Sequence, residues 1–252
     1  MMKDDDLLRY SRHILLPDVD LTGQERLLGS HVGVIGLGGL GSPVALYLSA
    51  SGVGTLTLVD DDQVDLGNLQ RQIVHSEAAL GAPKVESAKA SLSQINVNTE
   101  CHLIDRRLDS EGLAALAREV DVMVDCTDNF ETRFAINRAC VEARIPLVSG
   151  AAIRFEGQQM IWDPNVSASP CYACLYGDQR QTEQNCATTG VIAPLVGVIG
   201  SLLALETLKL LLGMARDHTG RLTTFDAMTN RWHSFTFKQR PDCPTCGPAN
   251  AP

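Results

Sequence analysis

The chain has 252 residues, 44% hydrophobic and 20% charged, which fits a sizeable globular core built as one large α/β domain or two small ones. A formal charge of −9 offers no basic face to nucleic acid or to an anionic membrane. No uninterrupted apolar run reaches the roughly 18–20 residues that span a bilayer; the longest, Gly190 to Leu212, is broken by Pro194, Glu206 and Lys209.

The N-terminus, Met-Met-Lys-Asp-Asp-Asp, carries no secretory pattern, so a cytoplasmic location is expected. Asp4 to Ile14 reads as a short amphipathic helix with Arg9 and Arg12 on a solvated side, and a second short helix ends at Gly29. Val32, Val34 and Ile35 then feed Gly36, Gly38, Gly39 and Gly41, and a helical pattern follows. This strand, glycine turn and helix matches G-x-G-x-x-G, in which the backbone approaches phosphates at a helix N-terminus. The motif predicts a nucleotide without saying whether the chemistry is hydride, phosphate or adenylate transfer.

Thr55 to Val59 reads as a buried parallel strand ending in Asp60-Asp61-Asp62. An acid about 20 residues past the glycines can bind a ribose hydroxyl, and Asp60 is the choice here; an acidic turn with no ligand is the alternative. Asp65 to His75 is too polar for core. A helix starts at Pro83-Lys84 and runs to about Ile95, followed by a strand at Cys101 to Ile104 and a helix at Ser110 to Arg118. Val120 to Cys126 is a fourth strand ending in Thr127-Asp128-Asn129, and helix 130–143 leads to a fifth strand at Pro146 to Ser149. Such alternation implies right-handed crossovers and a parallel sheet covered on both faces, with ligands at the strands' carboxyl ends. The glycines, Asp60 and Asp128 all fall at such ends.

The second half changes character. Ala151 to Phe155 and Gln158 to Trp162 flank Glu156-Gly157, a hairpin signal. Gly190 to Leu212 reads as a long apolar helix, and Arg221 to Asp226 and Arg231 to Phe237 as two more strands. The fold expected is therefore α/β: a Rossmann-like, doubly wound, mainly parallel sheet continued by antiparallel strands.

Eight cysteines need an account other than disulfides. Cys171-x-x-Cys174 and Cys243-x-x-Cys246 form two hooks whose four sulfurs complete a tetrahedron with no open position, the pattern of structural Zn²⁺. A redox pair would sit at the start of a helix after a strand, and neither does. Cys101, Cys126 and Cys140 fall in apolar patterns and read as buried, inert thiols.

Taken together, the motifs resemble the MoeB/ThiF family of adenylating enzymes, relatives of the ubiquitin-activating enzymes. They are Arg9-Tyr10-x-Arg12, Gly36-x-Gly38-Gly39-x-Gly41, Asp60-x-Asp62, Asn68-Leu69-Gln70-Arg71-Gln72 and Pro83-Lys84. They continue with Asp125-Cys126-Thr127-Asp128-Asn129, Ser149-Gly150-Ala151, Cys186-x-x-x-Gly190-Val191 and the four cysteines. The likeness runs from about Leu8 to Gly247 and implies a single domain over 1–252. Its parts are an N-terminal helical segment (1–30), a nucleotide-binding half (31–150) and an antiparallel, zinc-binding half (151–252).

The resemblance implies ATP-dependent adenylation of the C-terminal carboxylate of a ubiquitin-like sulfur carrier ending in Gly-Gly, for molybdopterin or thiamine synthesis. It implies that Arg71 and Lys84 contact phosphates and that Asp128 holds Mg²⁺. Asn68 and Asn129 position, Asp60 takes the ribose, Asp62 is a second carboxylate, and Gly39 and Gly41 give close backbone approach. Gly67, Leu69 and Gln70 complete the nucleotide-binding stretch; glycine at 67, where serine is common, keeps its backbone N–H. Arg12 is implied to reach the triphosphate of a neighbouring protomer, making a homodimer with a composite site. Cys186 matches a cysteine that binds the carrier covalently in some members and is dispensable in MoeB-like ones. The chain stops six residues after Cys246 without a rhodanese domain, so a separate sulfur donor is expected. Overall resemblance, including Ser149 to Arg154, favours a MoeB-like carrier. The rival readings are an NAD-dependent oxidoreductase of Rossmann type, which the glycine motif and Asp60 would also fit, and a non-catalytic adaptor.

Overall fold

We analysed a computed structural model that describes residues 2–177, 189–214 and 219–247. The N-terminal segment forms α1 (Asp4–Arg9), α2 (Ser11–Ile14) and α3 (Asp20–Leu28). The single helix expected over Asp4 to Ile14 is broken at Tyr10, because its ring is buried against Gly52 and its hydroxyl accepts from Asn96 Nδ2 at 2.9 Å. Gln24, fully buried, donates to the Ser51 carbonyl and fastens α3 to the body.

The body follows in order. It comprises β1 (His31–Ile35), α4 (Gly41–Ala50), β2 (Thr55–Val59), α5 (Lys84–Ile95), β3 (Glu100–Ile104), α6 (Ser110–Ala117), β4 (Val122–Asp125), α7 (Phe130–Ala143) and β5 (Leu147–Ile153). Beyond it come β6 (Glu156–Trp162), α8 (Tyr172–Tyr176), α9 (Ala193–Leu211), β7 (Arg221–Asp226) and β8 (Arg231–Thr236). One sheet contains all these strands in the order β3-β2-β1-β4-β5-β6-β7-β8. The pairs from β3 to β5 are parallel and those from β5 to β8 antiparallel, as expected.

Alternation along each strand divides the core between two faces. Val32, Val34, Leu56, Leu58, Val122 and Val124 point toward α4, α5 and α9, where Leu48, Leu92, Ile199 and Leu203 meet them. Ile35, Val59, Met123 and Leu147 point toward α6 and α7, and the four paired cysteines close that layer. The chain builds outward from β1 to β3, then crosses to β4, so the switch point lies between β1 and β4.

Two expectations need correcting. The fifth strand and the first hairpin arm are one continuous strand, β5, pairing with β4 on one side and β6 on the other. The hairpin turn falls at Arg154-Phe155 and not at Glu156-Gly157, with Arg154 in the left-handed region at φ 53. Gly157 is a packing glycine, since a Cβ there would lie 2.4 Å from Ile199 Cγ1. Helix α9 is, by length and composition alone, apolar enough to cross a membrane, and about half of its apolar stretch is buried within the protein. Of its interruptions, Pro194 falls in the first turn and buried Glu206 pairs with Lys209 at 2.9 Å. The helix packs on α4, β5 and β6.

Candidate active site

A cleft of about 630 Å³ opens at the carboxyl ends of β1, β2 and β4. It is lined by Gly36, Gly38, Gly39, Asp60 to Asp62, Asn68, Gln70 to Gln72, Lys84, Arg106, Arg107, Asp128, Asn129 and Arg133, among others. The glycine turn delivers the chain into α4, whose N-terminus has no side-chain cap. Its amide dipoles therefore face the cleft with positive potential. Gly41 lies behind the lining, and a Cβ there would sit 1.9 Å from the Gly36 carbonyl oxygen, so this glycine closes the turn rather than touching a ligand.

The turn is held from both sides at Leu37. Its N–H donates to Asp60 Oδ2 at 2.6 Å, and its carbonyl meets His75 Nε2 at 3.0 Å. His75 is buried against Ser87 Oγ at 2.9 Å, and burial first, with Lys84 adding to it, holds the imidazole below its usual range. The neutral ring thus donates from Nε2 and accepts at Nδ1. Asp60 is pushed up by burial against the opposing pull of Lys84 and the Leu37 and Asp62 amides. Lys84, almost fully buried at the start of α5, pairs with Asp62 at 2.7 Å and lies 3.9 Å from Asp60. Arg71 is fixed by Asn68 Oδ1 at 2.8 Å and by the Gly67 carbonyl.

Across the switch point, fully buried Asp125 accepts from the Thr127 amide and hydroxyl and from Ser149 Oγ. Arg133 grips the Thr127 carbonyl through Nε and Nη2. Asn129 caps α7 by accepting from the Thr132 amide at 2.9 Å. Asp128, exposed between these clamps, is thereby presented to the cleft.

Of the residues expected here, Asp60, Asp62, Asn68, Gln70, Arg71, Lys84, Asp128, Asn129 and Gly39 come together in the lining; Gly41, Gly67 and Leu69 are outside it. Arg12 is exposed on α2, outside the lining of its own cleft. Cys186 lies outside the described residues. Cys126 and Cys140 are buried, and burial raises both thiols above their usual range; Cys101 is only half-buried. Arg106, Arg107 and Arg133 of the lining, and His75 behind it, were not singled out, and Gln72, part of the Asn68–Gln72 motif, was given no role. For Arg133 the sequence did hold a signal: four residues after the Asn129 cap, it must share that face of α7.

A second constellation lies in the α7 layer. The sulfurs of Cys171, Cys174, Cys243 and Cys246 all lie within 4.8 Å of one another, and all four residues are buried. The thiols are shifted in opposite directions: hydrogen bonding with Cys174 and Cys246, then burial, pushes Cys171 far up, while hydrogen bonds from Cys171 and Cys174 hold Cys246 well below the usual thiol range. Asn137 Nδ2 at 3.6 Å and the Arg240 amide at 3.4 Å point N–H groups at Cys171 and Cys174, donors that favour thiolates. Four converging sulfurs with N–H support fit a closed tetrahedral zinc site.

The fold and cleft together define a doubly wound α/β protein with a cleft lined by both cations and carboxylates at its switch point. The chain belongs to the ThiF family, whose model matches residues 10–245. It is 46% identical over 250 residues to the sulfur carrier protein ThiS adenylyltransferase of Escherichia coli (strain K12), covering 99% of both chains. It is 45% identical over 246 residues to the molybdopterin-synthase adenylyltransferase of the same organism, covering 98% of each. The crystal structure of E. coli MccB with AMPCPP and MccA superposes with a TM-score of 0.80 at 24% identity, covering 95% of this chain and 74% of that one, a likeness of fold alone.

Proposed function

We propose that the cleft is the site where this protein adenylates the C-terminal carboxylate of a ubiquitin-like sulfur carrier. The activity, ATP-dependent adenylation of such a carrier, follows from family membership and from full-length relatives that are named adenylyltransferases. The observation that carries the residue assignment is a convergence in one cleft. An uncapped helix N-terminus, the cations Arg71 and Lys84 and the exposed carboxylate of Asp128 meet at three strand ends. The oxidoreductase reading is not retained, since no relative reported above is named for redox chemistry.

In the reaction a carboxylate oxygen of the carrier bonds to the α-phosphorus as the bond from that phosphorus to pyrophosphate breaks, giving a mixed anhydride. Charge grows on the departing phosphates, so fixed donors aimed at them lower the barrier. The α4 amides, Arg71 and Lys84 supply these donors, with Lys84 exchanging Asp62 for phosphate. Asp60 braces the turn at Leu37 and faces the ribose. Asp128 would hold Mg²⁺, which when bound neutralises the leaving pyrophosphate. The four cysteines would hold Zn²⁺, tying the C-terminal segment to α7 and α8.

Arg12, remote from its own cleft, acts on the cleft of a second copy, so that the working unit is a homodimer. The 46% and 45% identities leave the thiamine-type and molybdopterin-type carriers equally supported. Incubation with ATP and each carrier, followed by intact-mass analysis, is expected to show one carrier gaining one AMP. No AMP adduct on either carrier would overturn the assignment.

A further inference from the structure

The groups assigned to the triphosphate stand on three separate pieces of chain. The glycine turn follows β1, Arg71 lies in the stretch between β2 and α5, and Lys84 opens α5. Fixed donors lower a barrier only when they already hold one common geometry as the ligand arrives. The cations do not set that geometry themselves. Arg71 is held by Asn68 and Gly67 of its own stretch, and Lys84 by Asp62 at the end of β2. Asp60 ties the glycine turn to the end of β2, through the Leu37 amide.

His75 brings the three pieces together. Its amide donates to the Gln72 carbonyl at 3.0 Å, in the turn that follows Arg71. Its Nε2 donates to the Leu37 carbonyl of the glycine turn at 3.0 Å. Its Nδ1 accepts from Ser87 Oγ at 2.9 Å, and Ser87 lies one turn after Lys84 on α5. An imidazole is rigid and its two nitrogens point in fixed, divergent directions, so the ring acts as a strut between turn and helix.

Neighbouring contacts repeat each link. The Ser91 hydroxyl, one turn further along α5, donates to the Val74 carbonyl. The Gln72 amide nitrogen packs 3.5 Å from where a Cβ on Gly38 would stand. The ring itself is 8% exposed. Val74 before it and Ala88 after its partner Ser87 belong to the apolar core, where a side chain without polar atoms would pack at no desolvation cost. Histidine in that place is stabilising only through the bonds it makes.

We propose that His75 is a positioning residue of the adenylation site, whose ring holds the glycine turn and the helix of Lys84 in register with Arg71. The inference rests on the adenylation reading and concerns a residue outside the cleft lining, which acts through the groups that meet the phosphates.

The test compares two ligands of the whole chain by calorimetry in the presence of Mg²⁺. One is α,β-methylene ATP, which carries the triphosphate, and the other is adenosine, which does not. The wild type is expected to bind the analogue more tightly. His75→Leu fills the site with an apolar side chain and removes both ring hydrogen bonds. It is expected to weaken the analogue about tenfold and adenosine by less than about twofold. The ratio of the two affinities is the readout, because a general loss of folded protein lowers both alike. Ser87→Ala removes one end of the strut and is expected to cut the ratio about threefold, which keeps the test open if His75→Leu does not fold.

A ratio unchanged from the wild type in whichever variant folds would overturn the inference and leave His75 a core residue only. Failure of the wild type to prefer the analogue over adenosine would overturn the adenylation reading of the cleft, and this inference with it.

Discussion

Residues 31–150 and residues 151–247 share one sheet but are organised differently. In the first, each functional side chain or loop follows soon after the strand that aims it: the glycine turn after β1, Asp60 after β2, Asp128 after β4. In the second, the groups that matter are brought together over long separations. Cys171 reaches Cys243 72 positions later, and β6 pairs with β7 across α8 and α9. Local strand–loop–helix units make a site readable piece by piece; a clasp formed over a long loop works only when the whole half has folded.

The comparison is broken most severely through the clasp. Cys243→Ser, or exhaustive chelation, is expected to remove the metal and lower the unfolding midpoint by on the order of 10 °C, read by calorimetry with metal analysis. A protein that is metal-free yet melts unchanged would mean that the second half does not depend on the clasp. The glycines give the next contrast. Gly41→Ala places a Cβ 1.9 Å from the Gly36 carbonyl oxygen, and nucleotide affinity is expected to fall about tenfold or more because the turn must open.

Gly157→Ala meets Ile199 Cγ1 at 2.4 Å instead. There the loss is expected in stability, about 1–3 kcal/mol by denaturant titration, with nucleotide affinity unchanged. The smallest effect sharpens the boundary between the halves. Asn137→Leu keeps the volume of a buried side chain but removes both the N–H aimed at Cys171 and the acceptor of the Tyr172 amide, and zinc affinity measured by competition with a chelating dye is expected to drop about tenfold.

The same division explains what the sequence disclosed. The β1–glycine–α4 unit, Asp60 and Asp128 were legible because period, turn chemistry and position are local properties. The cysteine set was legible despite its separation, because each hook carries its own spacing. The hairpin turn was misplaced because Gly157 serves a contact with Ile199 on α9, which no local rule contains. Helix breakage at Tyr10 has the same origin in a distant partner, Asn96. His75 and Arg133 each act on a backbone carbonyl, of Leu37 and of Thr127, and a carbonyl partner has no sequence signature; only Arg133 left a cue, its place one turn after Asn129.

The account turns on adenylation in the cleft of the parallel half, and carrier-dependent exchange of labelled pyrophosphate into ATP measures that step directly. The wild type is expected to exchange only when the carrier is present, and Asp128→Ala and Arg71→Ala are expected to lower the rate at least about a hundredfold. Exchange at the wild-type rate in Asp128→Ala would contradict it.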